Sequence, residues 1–510
     1  MRKLSFKPLR NTIVRHVVMA FIALLRSIYR LLYGLRVEGM QNVPAEGPYI
    51  LGVDEYSLIG SLLTSLFLGP ALLEANRKRR NSTVSYIHEE LFTLPIMGSA
   101  FKSSAALGFG YIYPLRAAGA GNLALTLLDG YRILSQRGIA MLNPEGDMPW
   151  DGRPLPLGQA MAWLGLHTAA PIVPVVGQIG SYDIWPRWQT RPSGRGTLRQ
   201  IIGKPFKLTD TPQIKITQQD LVEANARIAA EFTRLRYGPG GIREWAGEPV
   251  RNGAPIQSPI DLALPSGPVA THPIESRPQV PVMRRGVAQL LWQCPICRTN
   301  DALVHEHPRF RTQTVQCAAC DTRWELRRVI GHDFRLKVVQ GHPEWLGLDM
   351  ALTTWIDFMR RNFPPEPITA TGVDLREEQV YLEAAQVSLV PRPSNPLFDG
   401  WQGSEAPLTQ PSVRSEIPTW QSIGQGKLLL TNRRLLWQGP QGELSFMLPS
   451  VTSVQLWMFN ILVVKYGTAH YLFKVSGEVG FKWTAYLDAL IAADAERATA
   501  THALAARVAV

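Results

Sequence analysis

The chain is short of three things, and each shortage excludes something. It holds four cysteines in 510 residues, all between Cys294 and Cys320. Cysteines so confined cannot make the distributed framework that staples a secreted fold, and they suit a reducing compartment. Long apolar runs are scarce too. The stretch Val17–Leu25 falls short of the roughly 20 residues that a spanning helix needs, and Arg26 and Arg30 stand where a signal peptide would be cut. Acid is missing from the first 36 residues, which carry eight Lys/Arg and no Asp or Glu. The whole chain has a formal charge of +12, which favours anionic partners, either lipid headgroups or nucleic acid. Its apolar share of 45% leaves ample material for a core, and its length suggests about three domains.

What is present is organised around residues 142–176. An apolar run (Gly138 to Leu142) stops at a Pro144-Glu145-Gly146 corner. A helix-period stretch follows (Leu157, Met161, Leu164), and a second apolar run starts at Pro171. This pattern predicts a strand, a tight loop, a crossover helix and a parallel strand. In open α/β sheets ligands bind at the carboxyl ends of strands, which places Glu145 to meet a substrate.

The wording of the stretch is specific. Asn143-Pro144-Glu145-Gly146, with Asp151-Gly152 and Pro171-Ile172-Val173-Pro174, resembles the third and fourth motifs of the phospholipid/glycerol (1-acylglycerol-3-phosphate-type) acyltransferase family. Val37 to Leu51 is similar to the family's entry strand, and Gly108 to Arg116 to its second motif. Ile201 to Phe206 resembles its final strand, and an amphipathic helix, Leu221 through Leu235, closes the domain. The resemblance covers roughly residues 36–236. It implies an α/β domain, a mixed and mostly parallel sheet flanked by helices. It also implies transfer of an acyl group from acyl-CoA or acyl-carrier protein to a lysophospholipid or glycerol phosphate. Arg116 would grip the phosphate through its planar fork, and Glu145 with Gly146 would hold the glycerol hydroxyls or close the phosphate site.

One motif departs from the family. Where N-H-x4-D is expected the chain has Asp54-Glu55-Tyr56-Ser57-Leu58-Ile59-Gly60. Glu55 stands in place of the catalytic histidine and Gly60 in place of its orienting aspartate, while Ser57 is kept. Glutamate has a reference pKa of about 4.3 against about 6.5 for histidine, so it is a weaker base by roughly two units. A helix N-terminus would weaken it further, whereas the neighbouring Asp54 and burial would raise it. The usual threonine-arginine after P-E-G is here Asp147-Met148. Two readings stand: Glu55 is a substitute base, or the domain is catalytically inactive and binds or scaffolds lipid. His88 lies near the second motif, and His167 belongs to the crossover helix as a packed residue.

Residues 1–35 form a basic helix whose apolar face suits the headgroup region and whose arginines suit anionic lipid, each worth about 1 kcal/mol near the surface. The same pattern would also suit a core helix with solvated arginines. Arg77-Lys78-Arg79-Arg80 would add to the basic face. A location in the cytoplasm, peripheral on the inner face of the membrane, follows from this reading. Residues 237–285, rich in proline, are expected to be an extended linker.

Cys294-Pro-Ile-Cys297 and Cys317-Ala-Ala-Cys320 have the spacing of a zinc ribbon over 286–335, with four thiolates closing a structural Zn2+ site and leaving no open position. Trp324-Glu325-Leu326 is expected as an edge strand. A helical connector (336–368, with helix from Trp345 to Phe363) precedes short alternating strands over 369–495. Gly426 to Trp437 resembles the hairpin of GRAM and other PH-like domains, which implies a small antiparallel barrel capped by a helix, with a helical tail over 496–510. Lys427, Arg433 and Arg434 suit anionic headgroups, or serve as strand-edge charges. Protein partners could meet the ribbon or the PH-like domain. Nucleic acid is the weakest of the partner readings, since Arg309-Phe310-Arg311 and Arg323-Trp324 are the only basic-aromatic pairings near the ribbon.

Overall fold

The computed structural model describes residues 16–17, 20, 23–24, 27–57, 83–88, 111–115, 120–189, 192, 196–238, 250–252, 254–255, 286–306, 308, 312–329, 333–362, 365–370, 375, 378–392, 422–457, 460–467, 469–475 and 479–508. They build three seven-stranded sheets.

The first sheet contains β1 (Arg36–Glu38), β2 (Tyr49–Val53), β3 (Thr83–His88), β4 (Tyr111–Leu115), β5 (Ile139–Leu142), β6 (Ile172–Ile179) and β7 (Arg199–Ile202), in the order β1-β7-β6-β2-β5-β3-β4. Strands β6, β2, β5, β3 and β4 are mutually parallel, β7 is antiparallel to β6, and β1 is parallel to β7. All five residues of β2 are buried, as expected for a central strand covered on both faces. The strand, loop, helix and strand of residues 139–179 form as the pattern predicts. Strand β2 lies between β5 and β6, so the crossover spans one strand.

Helices α1 (Ala120–Ser135), α2 (Ala160–Thr168), α3 (Ser181–Ile184) and α4 (Gln218–Tyr237) complete this domain. A Thr217/Asp220 capping box opens α4, satisfying N–H groups that the first turn leaves without helical partners. Its buried stripe runs Ala224, Ile228, Phe232 and then Arg236, at a constant spacing of four. The helix therefore carries a guanidinium into the interior on the face that packs the core.

The second sheet is antiparallel: β8 (Val250–Arg251), β9 (Ala254–Pro255), β10 (Leu303–Glu306), β11 (Gln313–Cys317), β12 (Arg323–Val329), β13 (Asp333–Gln340) and β14 (Leu348–Ala351), ordered β10-β11-β12-β13-β14-β8-β9. It differs from the sequence expectation in four respects. The stretch read as linker supplies β8 and β9 to the edge of the sheet. Strand β13 runs straight through the expected boundary at 335/336. Trp324 to Leu326 belongs to β12, an interior strand, not an edge. The helix expected from Trp345 is α5 (Leu352–Asn362), preceded by β14.

The third sheet, also antiparallel, holds β15 (Val380–Arg392), β16 (Gly424–Thr431), β17 (Arg434–Gly439), β18 (Gly442–Met447), β19 (Val451–Trp457), β20 (Ile461–Tyr466) and β21 (Ala469–Val475), in the order β18-β17-β16-β15-β21-β20-β19. The β16–β17 turn is closed by Thr431, whose Oγ1 accepts from the Arg433 and Arg434 amides at 3.1 and 2.9 Å. Helix α6 (Gly480–Val508) buries Trp483, Tyr486, Leu487 and Leu490, one helical stripe. A single apolar cluster runs from Tyr182 and Trp188 of the first domain through the second sheet to Trp483. Among the described residues no helix is long and apolar enough to cross a membrane.

Candidate functional site

Strands β2 and β5 are neighbours with Gly52 opposite Leu142, so the loops after them leave the sheet side by side. The Asn143 side chain accepts from the Glu145 amide at 2.9 Å, and Gly146 turns the corner at a φ of +74°, where a Cβ would be strained. The corner aims Glu145 inward, to an exposure of 8%.

Every oxygen of that carboxylate is engaged. Oε1 accepts from Tyr56 Oη at 3.1 Å and from Arg236 Nη2 at 3.1 Å, and Oε2 accepts from the Leu155 amide at 3.0 Å. The same Arg236 Nη2 donates to Asp54 Oδ2 at 3.0 Å, and the guanidinium lies over the Tyr56 ring, 4.7 Å from its centroid. Asp54 and Arg236 are 0% and 3% exposed. Charges this deep persist only when paired, and here two carboxylates share one cation. Burial pushes the Glu145 carboxyl up, against the opposing pull of Arg236 and of the Leu155 amide. Burial likewise drives the Tyr56 hydroxyl well above its ordinary range, so it stays a donor.

The other predicted positions are distributed around this cluster. Glu55 is half-buried between the buried Asp54 and Tyr56, and Ser57 is buried. Gly146 is exposed. Strand β4 lies two strands from β5, and Arg116 lies outside the described residues, as do Gly60 and Arg77 to Arg80. His167 packs against Trp163 and Tyr131, with ring centroids 4.2 and 6.3 Å away. Sequence reasoning missed Arg236, although the four-residue spacing of the α4 stripe was there to find it.

The loop after Glu145 is gripped from three sides. Arg187 pairs with Asp147 at 2.9 Å, donates to the Met148 carbonyl at 2.9 Å and reaches the Leu456 carbonyl of β19 at 3.3 Å. Its guanidinium also covers Trp150 at 4.4 Å. Trp150 stacks on Phe481 of α6, 5.8 Å between centroids, and Arg153 holds Asp151 beside it and Asp357 of α5 at 2.8 Å.

The four cysteines come together. Their Sγ atoms lie within 4.8 Å of one another, with 3.8 Å between Cys294 and Cys320 and 3.6 Å between Cys297 and Cys317. A tetrahedral zinc with bonds of about 2.3 Å requires sulfur separations of about 3.8 Å, so the residues fit that ion. Both knuckles read Cys-x-x-Cys-x-Thr. The fifth residue of each is left-handed (Arg298 at +61°, Asp321 at +55°), and each threonine hydroxyl touches the preceding sulfur at 3.2 or 3.1 Å. Amides of Ile296 and Ala319 donate to Cys294 and Cys317 at 3.4 Å. Burial pushes the Cys294 thiol up, so holding it as thiolate demands a cation. His305 is not a ligand: its Nδ1 accepts from the Val287 amide at 3.1 Å.

In the third sheet, Lys427 pairs with Glu383 at 2.7 Å and Arg434 with Glu378 at 3.1 Å, so both are engaged within the sheet.

No family model matches the chain, and no curated protein matches it. Among solved structures it is similar to the 1-acyl-sn-glycerophosphate (LPA) acyltransferase PlsC from Thermotoga maritima, with 20% identity and a TM-score of 0.32, covering 46% of this chain and 89% of that one. It is also similar to the Vps36 N-terminal PH domain, with 16% identity and a TM-score of 0.15, covering 25% of this chain and 87% of that one. Both likenesses are weak.

Proposed function

We propose that this chain works at the cytoplasmic face of a membrane as a lipid-surface protein built on the glycerolipid acyltransferase pattern, binding lipid without acylating it. One observation carries the reading: the carboxylates of Asp54 and Glu145 are buried and share the Arg236 guanidinium. Glu145 already accepts three hydrogen bonds from the chain's own donors, two of them on Oε1. The family's histidine is replaced by Glu55, roughly two units less basic.

Membrane attachment is supported at the N-terminus. Val17, Leu24, Ile28 and Leu31 are exposed at spacings of seven, four and three, one face of a helix, and Leu31 is 86% exposed. Arg15, Arg26 and Arg30 belong to the same stretch. Strand β1, which this helix feeds, runs opposite to β2, β5 and β6, so it begins at the edge where those strands end. A bilayer held by the helix would therefore lie against the edge that carries Glu55. A zinc ion held by the four cysteines would have a structural role.

The test has two arms. Acyl-CoA or acyl-carrier protein is supplied with lysophosphatidic acid or glycerol 3-phosphate, and no product above background is expected. Sedimentation with anionic vesicles is expected, and should be lost in Leu24→Asp/Leu31→Asp. Turnover that disappears in Glu55→Ala would instead establish the substitute-base reading, which the half-buried position of Glu55 beside Asp54 favours.

A further inference from the structure

We infer that the four-cysteine centre is the key of a three-way junction: its metal ion holds the PH-like domain and the acyltransferase-like domain onto the ribbon, and its loss releases both without unfolding either. The inference rests on the reading of that centre as a zinc site.

Several contacts that join the domains gather on the chain just before and just after the first knuckle, beside others such as Phe334 of β13 against Trp188, 5.0 Å between centroids, and Asp357 of α5 against Arg153 at 2.8 Å. Upstream, Gln289 donates through Nε2 to the Trp188 carbonyl of the first domain at 3.1 Å, with both residues buried. Downstream, Asp301 pairs with Lys482 of α6 at 2.7 Å, and Lys482 is itself only 5% exposed. Asn300 donates to Tyr486 Oη at 3.4 Å, and Trp292 packs on Phe481, 5.8 Å between centroids.

These groups are placed by the knuckle itself. The Cys294 amide donates to the Thr299 carbonyl at 3.0 Å, the Arg298 amide to the Cys294 carbonyl at 2.9 Å, and the Asp301 amide to the Trp292 carbonyl at 2.6 Å. Arg298 and Asp301 both sit in the left-handed region, at +61° and +54°. Non-glycine residues stay there only where surrounding structure holds them, and around this loop that structure is the sulfur cluster. In metal knuckles of this kind the binding free energy is the folding free energy. Without the ion, Asn300 and Asp301 lose their fixed positions, and the Asp301–Lys482 and Asn300–Tyr486 contacts should fail together.

The outer domains do not depend on the ion in this way. The parallel sheet has its own clusters around Ile50, Leu164 and Val173, and the third sheet has its own around Val390, Val463 and Leu472 and around Leu429 and Leu436. The direct contacts between them include Arg187 to the Leu456 carbonyl and Trp150 to Phe481, and Phe481 is also propped by Trp292.

Full-length protein is analysed for bound zinc, stripped with a chelator, and followed by amide hydrogen exchange. Exchange over residues 181–189 and 480–490 is expected to rise at least tenfold. Strands β2, β6, β16 and β17 should stay within twofold, and added zinc should restore protection. A second protein, Asp301→Asn/Lys482→Met, should raise exchange over 480–490 with its zinc content unchanged. Protection of α6 that survives stripping overturns the inference, as does loss of protection throughout the chain. Protein that carries no zinc as isolated refutes the zinc reading itself, a result the metal analysis separates from a failure of docking.

Discussion

Two buried centres in this protein solve one electrostatic problem in opposite ways. The four-cysteine centre gathers sulfurs that could hold a metal ion, and as thiolates their charge would be met from outside, by that ion. The Asp54–Glu145 pair gathers carboxylates whose charge is met from inside, by Arg236 of α4. An imported cation can be lost, so the first centre can act as a switch. A cation that belongs to the chain cannot be lost, so the second is permanent.

The largest effect should come from breaking the imported centre. Cys297→Ser removes one of four ligands, and structural zinc contributes about 10–16 kcal/mol of apparent binding free energy in small zinc-dependent domains. The variant is expected to lose bound zinc and the ordered environment of Trp292 and Trp324, measured by elemental analysis and near-ultraviolet circular dichroism.

Breaking the internal centre should cost less but remain severe. Arg236→Met leaves two carboxylates buried without their cation, and removing one partner of such a pair typically costs about 3–5 kcal/mol. The triple variant Asp54→Asn/Glu145→Gln/Arg236→Met removes all three charges together and should recover most of that loss. Urea midpoints measure both. A triple variant no more stable than Arg236→Met would mean that the charges are not what the cluster balances.

The two centres also differ in how far the sequence revealed them. Each cysteine pair is spaced by two residues, so the metal site is written locally, and the left-handed fifth residue of each knuckle follows from the same turn. The strand-loop-helix-strand of residues 139–179 and the β16–β17 hairpin were legible for the same reason: their periodicity and turn chemistry are short-range. Arg236 lies 91 residues from Glu145 and 182 from Asp54, and nothing local to any of the three announces the others. Strands β8 and β9 have two residues each, too few for any period, so proline content dominated their reading. The departure at Glu55 and Gly60 was plain from the sequence, but its structural counterpart, the sealed Glu145, came only with the fold.

A finer test concerns acid. Burial raises the Glu145 carboxyl above its ordinary value of 4.5, more than Arg236 lowers it. The folded protein therefore holds that proton more tightly than the unfolded chain does. The stability this provides is fully present below the unfolded-state value and is lost as the pH rises through the folded-state one. Glu145→Gln lacks this titration. The parent should thus be most stable relative to the variant near about pH 4, with the advantage shrinking toward about pH 7, as read from urea midpoints at both. A difference that grows with pH would place Glu145 on the other side of the comparison, as a carboxylate stabilised in its charged form.

The smallest effect belongs to the same chemistry moved into water. Arg199 grips Glu38 across β1 and β7 with two hydrogen bonds, at 2.8 and 2.7 Å, a better geometry than Arg236 achieves with either of its partners. Both side chains stay partly solvated, at 25% and 46% exposure, so solvent screens the attraction and little desolvation cost stands behind it. Arg199→Met is therefore expected to cost only about 0.2–1 kcal/mol, and less at high salt. The contrast isolates burial as the variable, since the ion-pair chemistry is held constant between the two sites. If Arg199→Met proved as costly as Arg236→Met, hydrogen-bond geometry would govern both pairs, and the sealing of Asp54 and Glu145 would no longer explain why α4 carries an arginine into the core.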